Sequence, residues 1–263
     1  MNILRDEFIK SCNSINQELV KHLINKEGEY YHFARNMHTF IHERIDSLSV
    51  LIFHNCLWDA DIILRSVAEA SIKLIFVSEL AENEKLEKVS EFWNDLGEIN
   101  NLKQSKQARI VIENLKNTKF NPDTFNQIAL SEEQEELLAS KWTKSKRQKI
   151  EQPWSFNEMI KSLSKNDQLD MILCLQRVFT QSSHLIHADE TALGVINDRK
   201  NRNDSLKLEI LHAKRLYSDC LSLYALSTIS ILKSINKDNK DTIRNLTESF
   251  FKRCEIIENN HKL

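Results

Sequence analysis

The sequence predicts an all-α protein, a single helical-bundle domain with a four-helix core and a helical insertion. Three observations carry this expectation. Glycine occurs three times and proline twice in 263 residues, where average usage would supply roughly 18 and 13. Hairpins, left-handed turns and strand edges draw on those two residue types, so a β-rich or doubly wound fold is excluded. Apolar residues return every three or four positions over most of the chain, the period of a helix with one buried face. Charged residues make up 28% of the chain, which suits the solvated faces of long helices.

Each element follows from that period. Phe8, Cys12, Ile15, Leu19 and Leu23 stripe a first helix from Leu4 to Asn25, which Gly28 stops. Phe33, Met37, Phe40, Ile41, Ile45, Leu48, Ile52 and Phe53 stripe a second, from about 30 to 55. A third begins at Asp59 or Asp61, acidic residues favoured in a first turn, and runs to about 82. Its middle is apolar nearly all round, which predicts the centre of the bundle. Residues 84–152 are polar and uneven and read as the insertion, with helices near 86–96, 99–116 and 123–140. Asn121-Pro122-Asp123 marks a turn and helix start, and Gln152-Pro153 a break. A helix starts near Asp167 and runs to Glu190, and residues 198–204 read as a charged loop. Two more helices span 205–235 and 241–258. The core is expected from about 30–82 and 167–235.

Net charge is −2, so no overall basic field coats a nucleic acid. The five cysteines, Cys12, Cys56, Cys174, Cys220 and Cys254, are scattered and odd in number. They read as reduced thiols in a cytoplasmic protein rather than a disulfide frame or a zinc site. The N-terminal residues mix charges early, unlike a secretory leader. The least charged long stretch, Cys220 to Leu232, falls short of the roughly 20 apolar residues that span a bilayer. No membrane partner is expected.

Chemistry concentrates in the helix before Glu190. Measured from Arg177, at 100° per residue, His184 lies about 20° around the helix, Thr180 about 60° and His187 about 80°. An arginine and two imidazoles therefore share one stripe, with Ser183 beside them. A histidine near neutrality can accept or return the proton of a ribose hydroxyl, and an arginine can hold a phosphoryl group whose charge is growing. Arg65 and Glu69, four apart on the most apolar helix, are neighbours on one face. They form either an intrahelical ion pair or a support for the site. His38 and His42, with His184 and His187, are spaced for metal ligation, but the wider ligand pattern of a bundle metal centre is missing, and neither metal nor cofactor is expected. No nucleophile elbow or phosphate-cradling glycine loop occurs. Lys141, Lys144, Lys146, Arg147 and Lys149 surround Trp142, and Arg199, Lys200 and Arg202 form a second basic group. Basic side chains beside an aromatic ring can hold phosphates and stack a base. The plainer reading is a solvated linker balanced by Glu132, Glu133, Glu135 and Glu136.

Two resemblances arise from these residues. Arg177 and His184, six residues between them, resemble the Arg/His pair of the HEPN superfamily, as do Arg35 and His42 in RNMHTFIH. Many HEPN members are metal-independent ribonucleases. The resemblance implies a HEPN-like four-helix core, an RNA substrate, an active groove across a homodimer, and a toxin or phage-defence role with an antitoxin or regulatory partner. LRSVAE at 64–69, KWTKSKR at 141–147 and FTQSSHLIHAD at 179–189 resemble an uncharacterised microbial helical family, over roughly residues 45–235. That family shows an R-S-x-x-E helix, a W-x-x-x-S segment and an aromatic-x-x-x-S-x-x-x-H helix. Its pattern falls on Arg65, Ser66, Glu69, Trp142, Ser145, Phe179, Ser183 and His187. The HEPN pattern stresses His184 and this one His187.

The functional expectation is a HEPN-like ribonuclease with Arg177, His184, His187, Arg65, Glu69 and Ser183 at its site. The alternative is a non-catalytic helical module that binds a protein or nucleotide. In it the Arg, Glu, Ser and His set is a structural polar lock.

Overall fold

The computed structural model describes residues 2–165, 172–173, 175–237 and 239–260, and the side chain of Arg177 lies outside the described residues. All regular structure among them is helical, as the composition requires. The chain forms two compact units. One comprises residues 1–80 and 159–263, the other 81–158, close to the expected insertion.

The larger unit is built on α1 (Asn2–Leu23), α2 (Glu29–Phe53) and α3 (Leu57–Ser78), then α10 (Leu175–His187), α11 (Glu190–Asn201), α12 (Ser205–Ser234) and α13 (Lys240–Asn260). Gly28 turns the chain between α1 and α2 at a φ of 120°, a conformation that side-chain-bearing residues resist. The nearly all-apolar α3 buries residues around most of its circumference and packs against α2, α10 and α12. These are the four expected core helices. Tyr30 Oη lies 2.8 Å from Ser78 Oγ and 2.6 Å from Ser234 Oγ, while the start of α3 meets the start of α12 through Asp61 and His212. The two helices therefore run parallel. Phe8 packs at 4.6 Å from Tyr217 and 6.0 Å from Phe250, which joins α1 and α13 to α12.

Helix α3 begins at Leu57, earlier than its acidic residues suggested. Asp59 lies in its first turn, but Asp61 lies one turn further in and is buried. Helix α11 was not expected. Residues 198–201 of the anticipated charged loop are its last turn, and its first turn is capped by Asp189, whose Oδ1 accepts from the Ala192 amide at 3.1 Å. The expected long helix ending at 190 is α10 over its described part, closed by Ala188 at a φ of 47°.

The smaller unit contains α4 (Glu82–Ser90), a π-turn (Glu91–Asp95), α5 (Leu96–Leu115), α6 (Asp123–Ile128), α7 (Glu132–Lys141), α8 (Lys144–Glu151) and a 3₁₀ turn (Gln152–Trp154). The next helix, α9 (Phe156–Leu163), crosses the boundary between the units. The helix expected over 123–140 is two. Ser131 starts the second through a reciprocal cap, its hydroxyl accepting from the Gln134 amide at 3.2 Å while Gln134 Oε1 accepts from the Ser131 amide. Ile99, Leu102 and Trp142 are the buried core of this unit, with Leu138, Ala139 and Ile150 packed on it.

Candidate functional site

Two polar clusters sit on the helices around α3. The first holds expected residues. Arg65 Nε donates to Glu69 Oε1 at 3.0 Å, one turn along the same helix. The Arg65 guanidinium lies 3.9 Å from the centre of the Phe179 ring on α10. Ser182 Oγ donates to the Asp61 carbonyl at 3.1 Å and to that of Val178 at 2.9 Å. Helices α3 and α10 are thus antiparallel, with Arg65 level with Phe179 and Asp61 level with Ser182.

His184 turns away from that seam. Its Nδ1 lies 2.6 Å from Asp189 Oδ2, and the side chain is 38% exposed. The hydrogen bond from His184 and then the one from the Ala192 amide hold the Asp189 carboxyl below its ordinary value. Asp189 therefore accepts the Nδ1 proton and leaves His184 Nε2 with no hydrogen-bond partner among the described residues. A general acid or base can be built this way: an imidazole fixed in one tautomer, on a partly exposed side chain whose other nitrogen is uncommitted. Ser183 is half-buried and His187 exposed. The structure joins Arg65 with Glu69, and His184 with Asp189, but forms no bond between the two pairs. The Arg177 side chain lies outside the described residues.

The second cluster was not anticipated. Asp61, 1% exposed, accepts from His212 Nε2 at 2.6 Å and from Arg215 Nη2 at 2.5 Å. His212 Nδ1 accepts from Arg199 Nη1 at 2.5 Å. The Arg199 guanidinium stacks 4.2 Å from the centre of the Trp58 ring, which also meets His212 at 4.9 Å, edge to face. One tautomer satisfies every bond, with the His212 proton on Nε2. Burial lowers the His212 pKa by more than the hydrogen bond and charge of Asp61 raise it. Burial alone would raise the Asp61 carboxyl, but the hydrogen bond from His212 and the charge of Arg215 outweigh it and hold Asp61 below its ordinary value. With both ring nitrogens engaged, His212 locks α3 to α12 and α11 and has no free position for a substrate proton.

The signal for this cluster was present in the sequence: Asp61, His212 and Arg215 are ionisable residues on the two most apolar helices, where such groups need partners. Their pairing over some 150 residues has no period to reveal it.

The basic groups divide. Arg199 belongs to the second cluster, Lys200 is exposed, and Arg202 Nε donates to Asp204 at 2.8 Å. In the smaller unit Lys141 pairs with Glu98 at 2.5 Å. Lys144, Lys146 and Lys149 are exposed on α8, and Arg147 is half-buried with its Nε unpartnered. Trp142 is not an open stacking platform. It is 7% exposed, and its indole N–H donates to Glu98 Oε2 at 2.7 Å. Trp142→Phe keeps most of the packing and loses that bond, at a cost of about 1–2 kcal/mol because the carboxylate is charged but partly solvated. Hydrogen exchange should speed up about tenfold at the protected amides of α5 and α7, and unchanged exchange would show that the indole N–H contributes nothing. No group of three or more histidine, cysteine, aspartate or glutamate side chains among the described residues is placed to hold a metal, and no helix among them is long and apolar enough to cross a membrane.

The chain belongs to DUF5677, a family of unknown function, whose sequence pattern matches residues 31–204. The expectation of an uncharacterised helical family therefore holds. The matched span contains Arg65, Glu69, Trp142, His184, His187 and Arg199, and ends before His212 and Arg215. No curated protein and no solved structure matches the chain.

Proposed function

We propose that this member of DUF5677 is a metal-independent ribonuclease of HEPN-like type, with His184 as its general acid and base. The observation that carries the reading is the half-exposed His184–Asp189 pair, with Nδ1 held at 2.6 Å and Nε2 without a partner among the described residues. In cleavage by this route, His184 Nε2 takes the proton of a ribose 2′-hydroxyl as that oxygen attacks the adjacent phosphorus. The P–O5′ bond breaks, and the same imidazole returns a proton to the leaving oxygen. Asp189 supports the transient imidazolium. A cation beside the phosphate offsets the charge that accumulates there, a role for which Arg177 is the candidate on the same helix.

The test is cleavage of structured and single-stranded RNAs in excess chelator. The wild type should cleave, and His184→Ala should lose about 100-fold in rate, at the lower end of general acid–base contributions. His187→Ala and Arg177→Ala, run beside it, decide which imidazole and which cation take part. Equal rates for wild type and His184→Ala would remove the assignment, and an inert wild type would remove the activity.

A second reading is supported by the Arg65–Glu69 ion pair at 3.0 Å. Arg65 is already satisfied within its own helix and against Phe179, as expected of a packing anchor in a non-catalytic binding module. A wild type that binds RNA or a protein without cleaving RNA would favour it.

A further inference from the structure

Arg199 is a half-buried cation whose only hydrogen bond among the described residues goes to a neutral imidazole. No carboxylate among those residues lies within 4 Å of it, and the nearby acids are committed elsewhere. Asp61 is shared by His212 and Arg215, and Glu209 accepts from Asn55 at 3.3 Å. Buried or half-buried charges in proteins are normally paired. Here the guanidinium is instead fixed in orientation by the Trp58 face on α3 and by His212 Nδ1 on α12. Its Nη2 and Nε donors have no partner among the described residues. A planar donor edge held in place is the form of guanidinium that receives an oxyanion two-pronged, and fixing it in advance removes most of the ordering cost.

We propose that Arg199, pinned by Trp58 and His212, is a binding site for a phosphate group of a nucleotide or an RNA strand. The choice of nucleotide phosphate over other oxyanions rests on the ribonuclease reading. The anion site itself rests only on the unmatched charge of Arg199. Asp189 caps the first turn of α11 and Arg199 lies in its last, about 15 Å apart along the helix. A strand of several nucleotides is long enough to span that distance, whereas a single nucleotide would occupy the guanidinium alone.

The experiment measures binding by calorimetry, with inorganic phosphate, adenosine monophosphate and a short single-stranded RNA as probes, in the His184→Ala background so that cleavage does not intervene. At least one probe should bind, and Arg199→Gln should weaken it about tenfold or more, as expected for loss of a charge-assisted two-pronged contact. Arg199→Lys keeps the charge without the planar edge and should weaken binding by a smaller factor. The remote exposed Lys10→Gln should leave it unchanged. Preference for the RNA identifies a strand as the natural ligand, and equal binding of the monophosphate identifies a free nucleotide. Failure of all three probes to bind overturns the proposal, as does equal affinity in the Arg199→Gln protein. If Arg199→Gln does not fold, unchanged affinity in Arg199→Lys overturns it instead. A protein that binds these probes through Arg199 but cleaves no RNA separates failure of the ribonuclease reading from failure of this one.

Discussion

Asp61→Asn should lower the stability of the larger unit by about 3 kcal/mol or more, the scale seen when one partner of a buried charge pair is removed. The side chain is 2% exposed and holds both His212 and Arg215. The amide keeps the volume, but it removes the buried charge opposite Arg215, leaving that cation the partly exposed Asp219 at 3.3 Å, and turns an N–H toward a group that is itself a donor. The network is the reason for the large effect: three helices, α3, α11 and α12, meet through these bonds. Urea unfolding of wild type and variant measures the change. Adding Arg215→Met to Asp61→Asn should cost less than the sum of the two single changes, because the two side chains bond each other directly and each single change already breaks that bond. A loss under about 1 kcal/mol for Asp61→Asn would mean the network contributes little.

Acid should weaken the fold well above the carboxylate range, and His38 should be the main cause. It is buried on α2, stacked 4.8 Å from Tyr224, with Nε2 lacking a partner. Burial, and after it the charge of His42, push its pKa down to about 3. The sign follows directly. Below the ordinary histidine value near 6.5 the unfolded chain takes up a proton that folded His38 refuses, so stability is full above that value and falls with pH. The decline is about 1.4 kcal/mol per pH unit and continues until the folded imidazole protonates near pH 3. By pH 4.5 the loss from His38 is about 3 kcal/mol. His212, also depressed, contributes in the same direction. Asp61, held below its ordinary carboxyl value, adds its loss only at more acid pH. His38→Leu should flatten the decline between pH 6.5 and 4.5 and leave the smaller part due to His212. A decline as steep as in wild type would assign it elsewhere.

The four core helices were legible because burial in a helix repeats with a fixed period, and α3 carried the strongest form of that signal. Helix α11 was missed for the complementary reason. Leu193 and Val195 are exposed and only Ala192 is buried, so the helix has little apolar face to read. Its start was still written in Asp189, an acid immediately before a helix-compatible run. Trp142 was read by its lysine neighbours, although Leu138 four residues earlier already placed it on an apolar stripe. Arg65 and Glu69 were legible as neighbours because helical geometry fixes them. The Asp61–His212–Arg199 chain was not, since it depends on how three separate helices approach one another.

The double duty of Asp189 also constrains how the chain can vary. One oxygen begins a helix and the other steadies an imidazole, so the residue is geared to the backbone rather than free to swing. Serine, threonine or asparagine there would keep the helix start but surrender the negative charge, and glutamate would keep the charge but fit the cap poorly. Any drift at this position therefore trades the orientation of a neighbouring ring against the integrity of a fold element, and the two cannot be tuned separately.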